Sequence, residues 1–129
     1  MADLFLRVVA GAGALLHLGF VWMETGGWST AFVGRVAPDW LTGLSEQEAQ
    51  DRVGWAAKLA KNVAGYNLAL ALGLAWVALA GAPVADSLGV FLAIWLLIAA
   101  GAAALTGVHR AAVAQGAFGV LLLVATFVV

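Results

Sequence analysis

Few side chains in this sequence are able to do chemistry, and they recur at helical spacings. His17 and Glu24 are seven residues apart, two helical turns, so they share one face of a helix. Asn62 and Tyr66 are four apart and share a face of a second helix, while Asn67 points elsewhere, toward a different neighbour. Gln115 stands further along, with His109 and Arg110 just before it. An imidazole beside a carboxylate is the usual equipment for acid–base work, with a phenol as proton donor. Carboxamides supply hydrogen bonds that polarise a reacting oxygen. With no Cys in the chain, disulfides, thiolate metal sites and cysteine nucleophiles are excluded. No nucleophile elbow or nucleotide fingerprint is present. The two histidines form no HxxxH or ExxH pair, so no metal site is expected. No cofactor is called for either, His17 being the only deep candidate for a haem ligand.

The elements that must position these groups follow from composition. Of 129 residues, 64% are hydrophobic and 10% charged, and mean hydropathy is +1.03. A soluble domain carries about 25% charge to wet its surface. This chain cannot, so its solvent is lipid. Six Lys and Arg against seven Asp and Glu, a net charge of −1, exclude a nucleic-acid footprint. Four apolar stretches, about 4–24, 55–80, 88–108 and 110–129, approach the roughly 20 residues that cross a bilayer core. In lipid each must be a helix, since backbone groups find no water to bond. The fold class is therefore all-α: an integral membrane four-helix bundle forming a single four-span domain over 1–129. The first stretch reads as a retained span rather than a signal peptide, because its positive cluster is poor and no small cleavage-site residues follow.

The first connection is polar and holds most of the charge. Ser45-Glu46-Gln47-Glu48 reads as a capping box, which starts a long second helix near Glu46 and carries it into the bilayer. Glu48 and Arg52 are spaced to pair on its surface. The remainder of the segment reads as loop with one short helical turn. Arg35, Arg52, Lys58, Lys61 and Arg110 lie on the side of the first and third connections, with Arg7 alone near the other. The positive-inside rule places those connections in the cytoplasm and the two ends of the chain outside. Trp22, Trp28, Trp40 and Trp55 form an aromatic belt at the same boundary. Gly65, Ala69 and Gly73 make a small-residue ridge expected to meet another helix of the bundle, with a homo-oligomer face as the lesser reading. Ala99, Ala103 and Gly107 make a second.

Depth joins the two sets of observations. At 1.5 Å of rise per residue, His17 lies about 10 Å below Glu24, Asn62 about 10 Å past Trp55 and Gln115 about 9 Å past His109. Three polar groups from three helices thus share a level, and Tyr66 lies one turn deeper. Convergence gives a cytoplasm-facing pocket, and the bland alternative is a buried hydrogen-bond knot. Interhelical glue suits Asn67 and Gln115 as well as binding does, and snorkelling suits Lys58 and Lys61.

At these residues the chain resembles the small bacterial membrane proteins grouped as domain-of-unknown-function family 1304. The shared elements are His17-x2-Phe20-x3-Glu24-x3-Trp28, then Asn62-x2-Gly65-Tyr66-Asn67 followed by Leu70 and Leu72-Gly73-Leu74, and Gln115-Gly116. The resemblance covers nearly the whole chain in order. It implies a four-span inner-membrane protein and no particular activity.

Two functional readings follow. In the first, the protein is an inner-membrane (plasma-membrane), multi-pass protein with a cytoplasm-facing polar pocket for a lipophilic small molecule, epoxide- or quinone-like. Any enzymatic role is then acid–base or isomerase-type. His17, Glu24 and Tyr66 are its catalytic candidates, and Asn62, Asn67, Gln115, Arg110 and Trp28 its binding candidates. In the second, the protein is a non-catalytic membrane subunit, carrier or efflux helper whose polar cluster is structural.

Overall fold

A computed structural model describes residues 2–127. Those residues are helical almost throughout and contain no strand. In order they form α1 (Ala2–Gly26), α2 (Thr30–Val36), a 3-10 turn (Pro38–Trp40), α3 (Glu46–Leu79), α4 (Ala82–Leu105) and α5 (His109–Phe127). Four of these, α1, α3, α4 and α5, are long and apolar enough to cross a membrane. The chain is an all-α, multi-pass membrane protein.

Local chemistry accounts for the helix ends. Ser45 and Glu48 form the expected capping box: the Ser45 amide and hydroxyl both donate to Glu48 Oε2, at 2.8 and 2.6 Å. α3 is 34 residues long and passes Gly54 without a break. That is about 51 Å of helix, against a hydrocarbon core of roughly 30 Å, so part of it stands outside the membrane. The Glu48–Arg52 pair expected from spacing is not made. Ser45 occupies the carboxylate, and Arg52 instead donates to the Trp40 carbonyl at 2.9 Å with its guanidinium 6.0 Å from the Trp40 ring centre. The polar connection is more ordered than expected. Ser29 caps α2 by accepting from the Phe32 amide, and the 3-10 turn follows. α4 ends on Gly107, whose φ of +80° suits a residue without Cβ. There the Val108 amide reaches Ala103 O and the Gly107 amide reaches Ala104 O, the paired bonds that close a helix C-terminus.

The chain divides into two compact units, Met1–Leu16 with Leu70–Val129, and His17–Ala69. The first has the apolar core. Leu6, Val9, Ala10 and Ala14 of α1 meet Leu70, Leu74 and Val77 of α3, Leu92, Ala93 and Leu96 of α4, and Leu122 and Ala125 of α5. Small residues bring its helices together. A Cβ at Gly119 would stand 3.0 Å from Leu97 and 3.2 Å from the Ala93 carbonyl, and one at Gly89 would stand 2.9 Å from Thr126 Oγ1. Arg7 closes one end: it pairs with Asp3 at 2.9 Å and donates to the Ala78 and Ala80 carbonyls at 3.1 and 3.0 Å, satisfying the end of α3.

The second unit holds the end of α1, the polar connection and the first two-thirds of α3. Its buried α3 positions are Val53, Ala60, Ala64 and Asn67, a stripe at helical spacing. Trp22, Trp40 and Trp55 are exposed and Trp28 is half-buried. The ridge expected at Gly65, Ala69 and Gly73 is corrected in part. Gly73 does pack, against Leu92 in the first unit, but Gly65 and Ala69 are exposed and a Cβ at Gly65 would meet open space. The helix face that α3 buries is the alanine stripe opposite.

Candidate functional site

The second unit contains one linked set of buried polar side chains. His17 and Glu24 project from the same face of α1, as their seven-residue spacing requires, and both reach one residue of α3. His17 Nδ1 lies 2.8 Å from Asn67 Oδ1, while Asn67 Nδ2 donates to both Glu24 oxygens at 2.9 and 2.8 Å. Asn67 is thus a bridge between an imidazole and a carboxyl group that do not touch each other. His17 has no exposed surface, Asn67 is 5% exposed, and Glu24 is half-buried. Phe20, one turn from His17 along α1, sets its ring edge-on to the imidazole with centres 5.5 Å apart. That ring contributes an apolar wall and no hydrogen-bond donor.

One atom of the set is unpaired. His17 Nε2 is buried and has no hydrogen-bond partner among the described residues. Nine in ten or more of buried polar groups in folded proteins are bonded, and a bilayer interior offers little water in compensation. The orphan nitrogen is therefore the one buried side-chain polar atom among the described residues that folding leaves without a partner. A neutral imidazole uses such a nitrogen as hydrogen-bond acceptor, proton acceptor or metal ligand. Among the described residues no three His, Cys, Asp or Glu side chains stand together to hold a metal ion.

The other candidate residues make no hydrogen bond to this set among the described residues. Asn62 and Tyr66 are both exposed, Tyr66 at 66%, and neither side chain hydrogen-bonds to His17 among the described residues. At 100° per residue, Asn62 is about 140° and Tyr66 about 100° around α3 from Asn67, which explains why one face cannot present all three. Asn67, expected to point away from Asn62, is the carboxamide that meets α1. Gln115 belongs to the other compact unit, in α5, where it is half-buried. Arg110 is exposed at the start of α5, and Trp28 is half-buried between α1 and α2. A shallow groove at the start of α4, lined by Pro83, Val84, Ser87, Leu88 and Phe91, carries no ionisable side chain. Its one hydroxyl, on Ser87, is already given to the Pro83 carbonyl at 2.9 Å.

No curated protein and no solved structure matches the chain. A family model described as "Protein of unknown function (DUF1304)" matches residues 11–127, a stretch that includes His17, Glu24, Asn67 and all four membrane-length helices in whole or in large part. The chain belongs to the DUF1304 family.

Proposed function

We propose that this protein receives the polar head of a lipophilic small molecule at the His17–Asn67–Glu24 cluster, on the cytoplasmic side of the inner membrane. The observation that carries the reading is the buried, unpartnered His17 Nε2. Its ring is held on the other side by Asn67 and cannot turn Nε2 to a protein partner without giving up that bond. A molecule from the lipid phase is the partner that a membrane-embedded acceptor can meet. The cytoplasmic side follows from the Lys and Arg residues of the first and third connections. Where the bound molecule is transformed, His17 is the proton-transferring group, and Glu24, reaching it through Asn67, stabilises the charge that develops on the ring. That chemistry is acid–base or isomerase-type. The rival reading, a structural tie, draws on the fact that both ends of the Asn67 amide are already engaged within the chain.

Mass spectrometry of organic extracts tests the proposal. Protein purified in mild detergent from its host should carry a lipophilic compound that His17→Leu protein, equally folded, has lost. Identical extracts from the two proteins would refute it.

A further inference from the structure

We infer that Asn67 is a positioning residue that fixes the proton of His17 on Nδ1, so that the site selects a hydrogen-bond donor, a hydroxyl or N–H head group. This rests on the reading of the cluster as a ligand site and adds to it the chemical class of the ligand.

A carboxamide is asymmetric. Nδ2 only donates and Oδ1 only accepts. Both Glu24 oxygens lie within hydrogen-bond distance of Asn67 Nδ2, the arrangement of one amide N–H shared between the two oxygens of a carboxylate. Turning the amide over would set Oδ1 against two acceptor oxygens with no hydrogen between them. Oδ1 therefore faces His17, and at 2.8 Å from an acceptor the Nδ1 atom must carry hydrogen. A neutral imidazole has one ring proton, so Nε2 keeps a bare lone pair. No carboxylate touches the ring directly, and Phe20 offers it only an aromatic edge.

A bare ring nitrogen accepts and cannot donate. An alcohol, phenol or amide N–H completes it. A quinone carbonyl, an epoxide or an ether would oppose lone pair to lone pair and leave Nε2 unsatisfied. The epoxide- or quinone-like ligand suggested by the sequence is thereby replaced by its hydroxyl-bearing counterpart. Asn67 acts only through His17, and its effect is on which nitrogen is protonated.

The test uses full-length protein in lipid nanodiscs, labelled with nitrogen-15 histidine, with the His17 signals assigned by their loss in His17→Leu. The ligand probes are para-decylphenol and para-decylanisole, which differ in replacing O–H by O–CH3. The resting protein should show Nδ1 protonated and Nε2 bare. The phenol should shift the Nε2 resonance and bind at least about tenfold more tightly than the ether, since the ether leaves a buried acceptor unpaired. Asn67→Leu should redistribute the proton between the nitrogens and abolish the preference, and Glu24→Gln, whose own amide can pair with Asn67 turned either way, should weaken both. If Asn67→Leu does not fold, the resonances of the unaltered protein still decide the protonation. Nε2–H in the resting protein, whether from a reversed amide or a fully protonated ring, overturns the inference. Binding of either probe would then leave the site reading standing. Equal affinity for the two probes overturns the donor class alone. A bare Nε2 that responds to neither probe, for instance because a resident water satisfies it, overturns the site reading and the inference together.

Discussion

Replacing His17 by Leu should cost little stability, and replacing Asn67 by Leu should cost more. The two residues share one hydrogen bond, so a simple pairwise view expects equal losses. The orphan nitrogen breaks that symmetry. His17→Leu strands Asn67 Oδ1, a penalty of about 1–3 kcal/mol for an unpaired buried acceptor. It also removes Nε2, already stranded at a similar cost, so the two changes offset each other and the net should fall within about 1 kcal/mol of zero. Asn67→Leu removes nothing unfavourable. It leaves a ring with no exposed surface holding two unpaired nitrogens. Glu24 is half-buried and can turn to water, so its loss adds little. The expected cost is about 1–3 kcal/mol, at the lower end if the partners find substitutes, as they often do in bilayers. Reversible unfolding of the ligand-stripped proteins in mixed detergent micelles, followed by tryptophan fluorescence, measures both variants on one scale. A His17→Leu loss equal to or larger than that of Asn67→Leu would refute the reasoning, because it would mean that Nε2 is satisfied in the folded protein.

Two further outcomes test the frame around the site. Gly89→Ala should destabilise by about 1–3 kcal/mol, because the added carbon would stand 2.9 Å from Thr126 Oγ1 in the core of the first unit. Adding Thr126→Ala should relieve it, as the Thr126 hydroxyl only bonds back to Leu122 O within α5; the same loss in both backgrounds would place the strain elsewhere. A reporter active only in the cytoplasm, fused after Val129, should stay silent while one inserted in the connection near Gly43 is active; the reverse pattern would invert the orientation.

Much of this was legible in the residues. Apolar length gave the four long helices, and Ser45 with Glu48 placed the start of α3 near Glu46, where it is found, because capping is a local contest among neighbours. The shared face of His17 and Glu24 was equally local, fixed by helical period alone. The choice between Asn62 and Asn67 was not, since period separates their faces without saying which face meets α1. The deciding signal was present in Ala60, Ala64 and Ala71, which lie on the Asn67 stripe and are all buried. The shared depth of Asn62 and His17 competed with it and drew the expectation to the other side. Arg52 shows the same limit: spacing identified a partner in Glu48, but a carbonyl twelve residues earlier in the chain offered a better one. Gly116 and Gly119, which bring α5 against α4, carry a three-residue spacing that a search for four-residue ridges passes over.

The cluster's place in α3 bears on what it is for. Along the buried face, Ala60, Ala64, Ala71, Leu74 and Val77 are apolar, and Asn67 is the single polar member among them. Residues on either side of it already supply an uninterrupted packing stripe, so the helix needs no hydrogen bond there to find its position. Interhelical hydrogen bonds in membranes average about 0.6 kcal/mol, and the unpaired Nε2 that accompanies this one costs about 1–3 kcal/mol. The cluster thus adds nothing to stability that an apolar residue at 67 and another at 17 would not match. What the polar set supplies and an apolar pair could not is a protonation state held on one nitrogen and a lone pair left open on the other. On the reading proposed above that is a binding property, and it lasts only while the amide of Asn67 stays between the carboxylate and the ring.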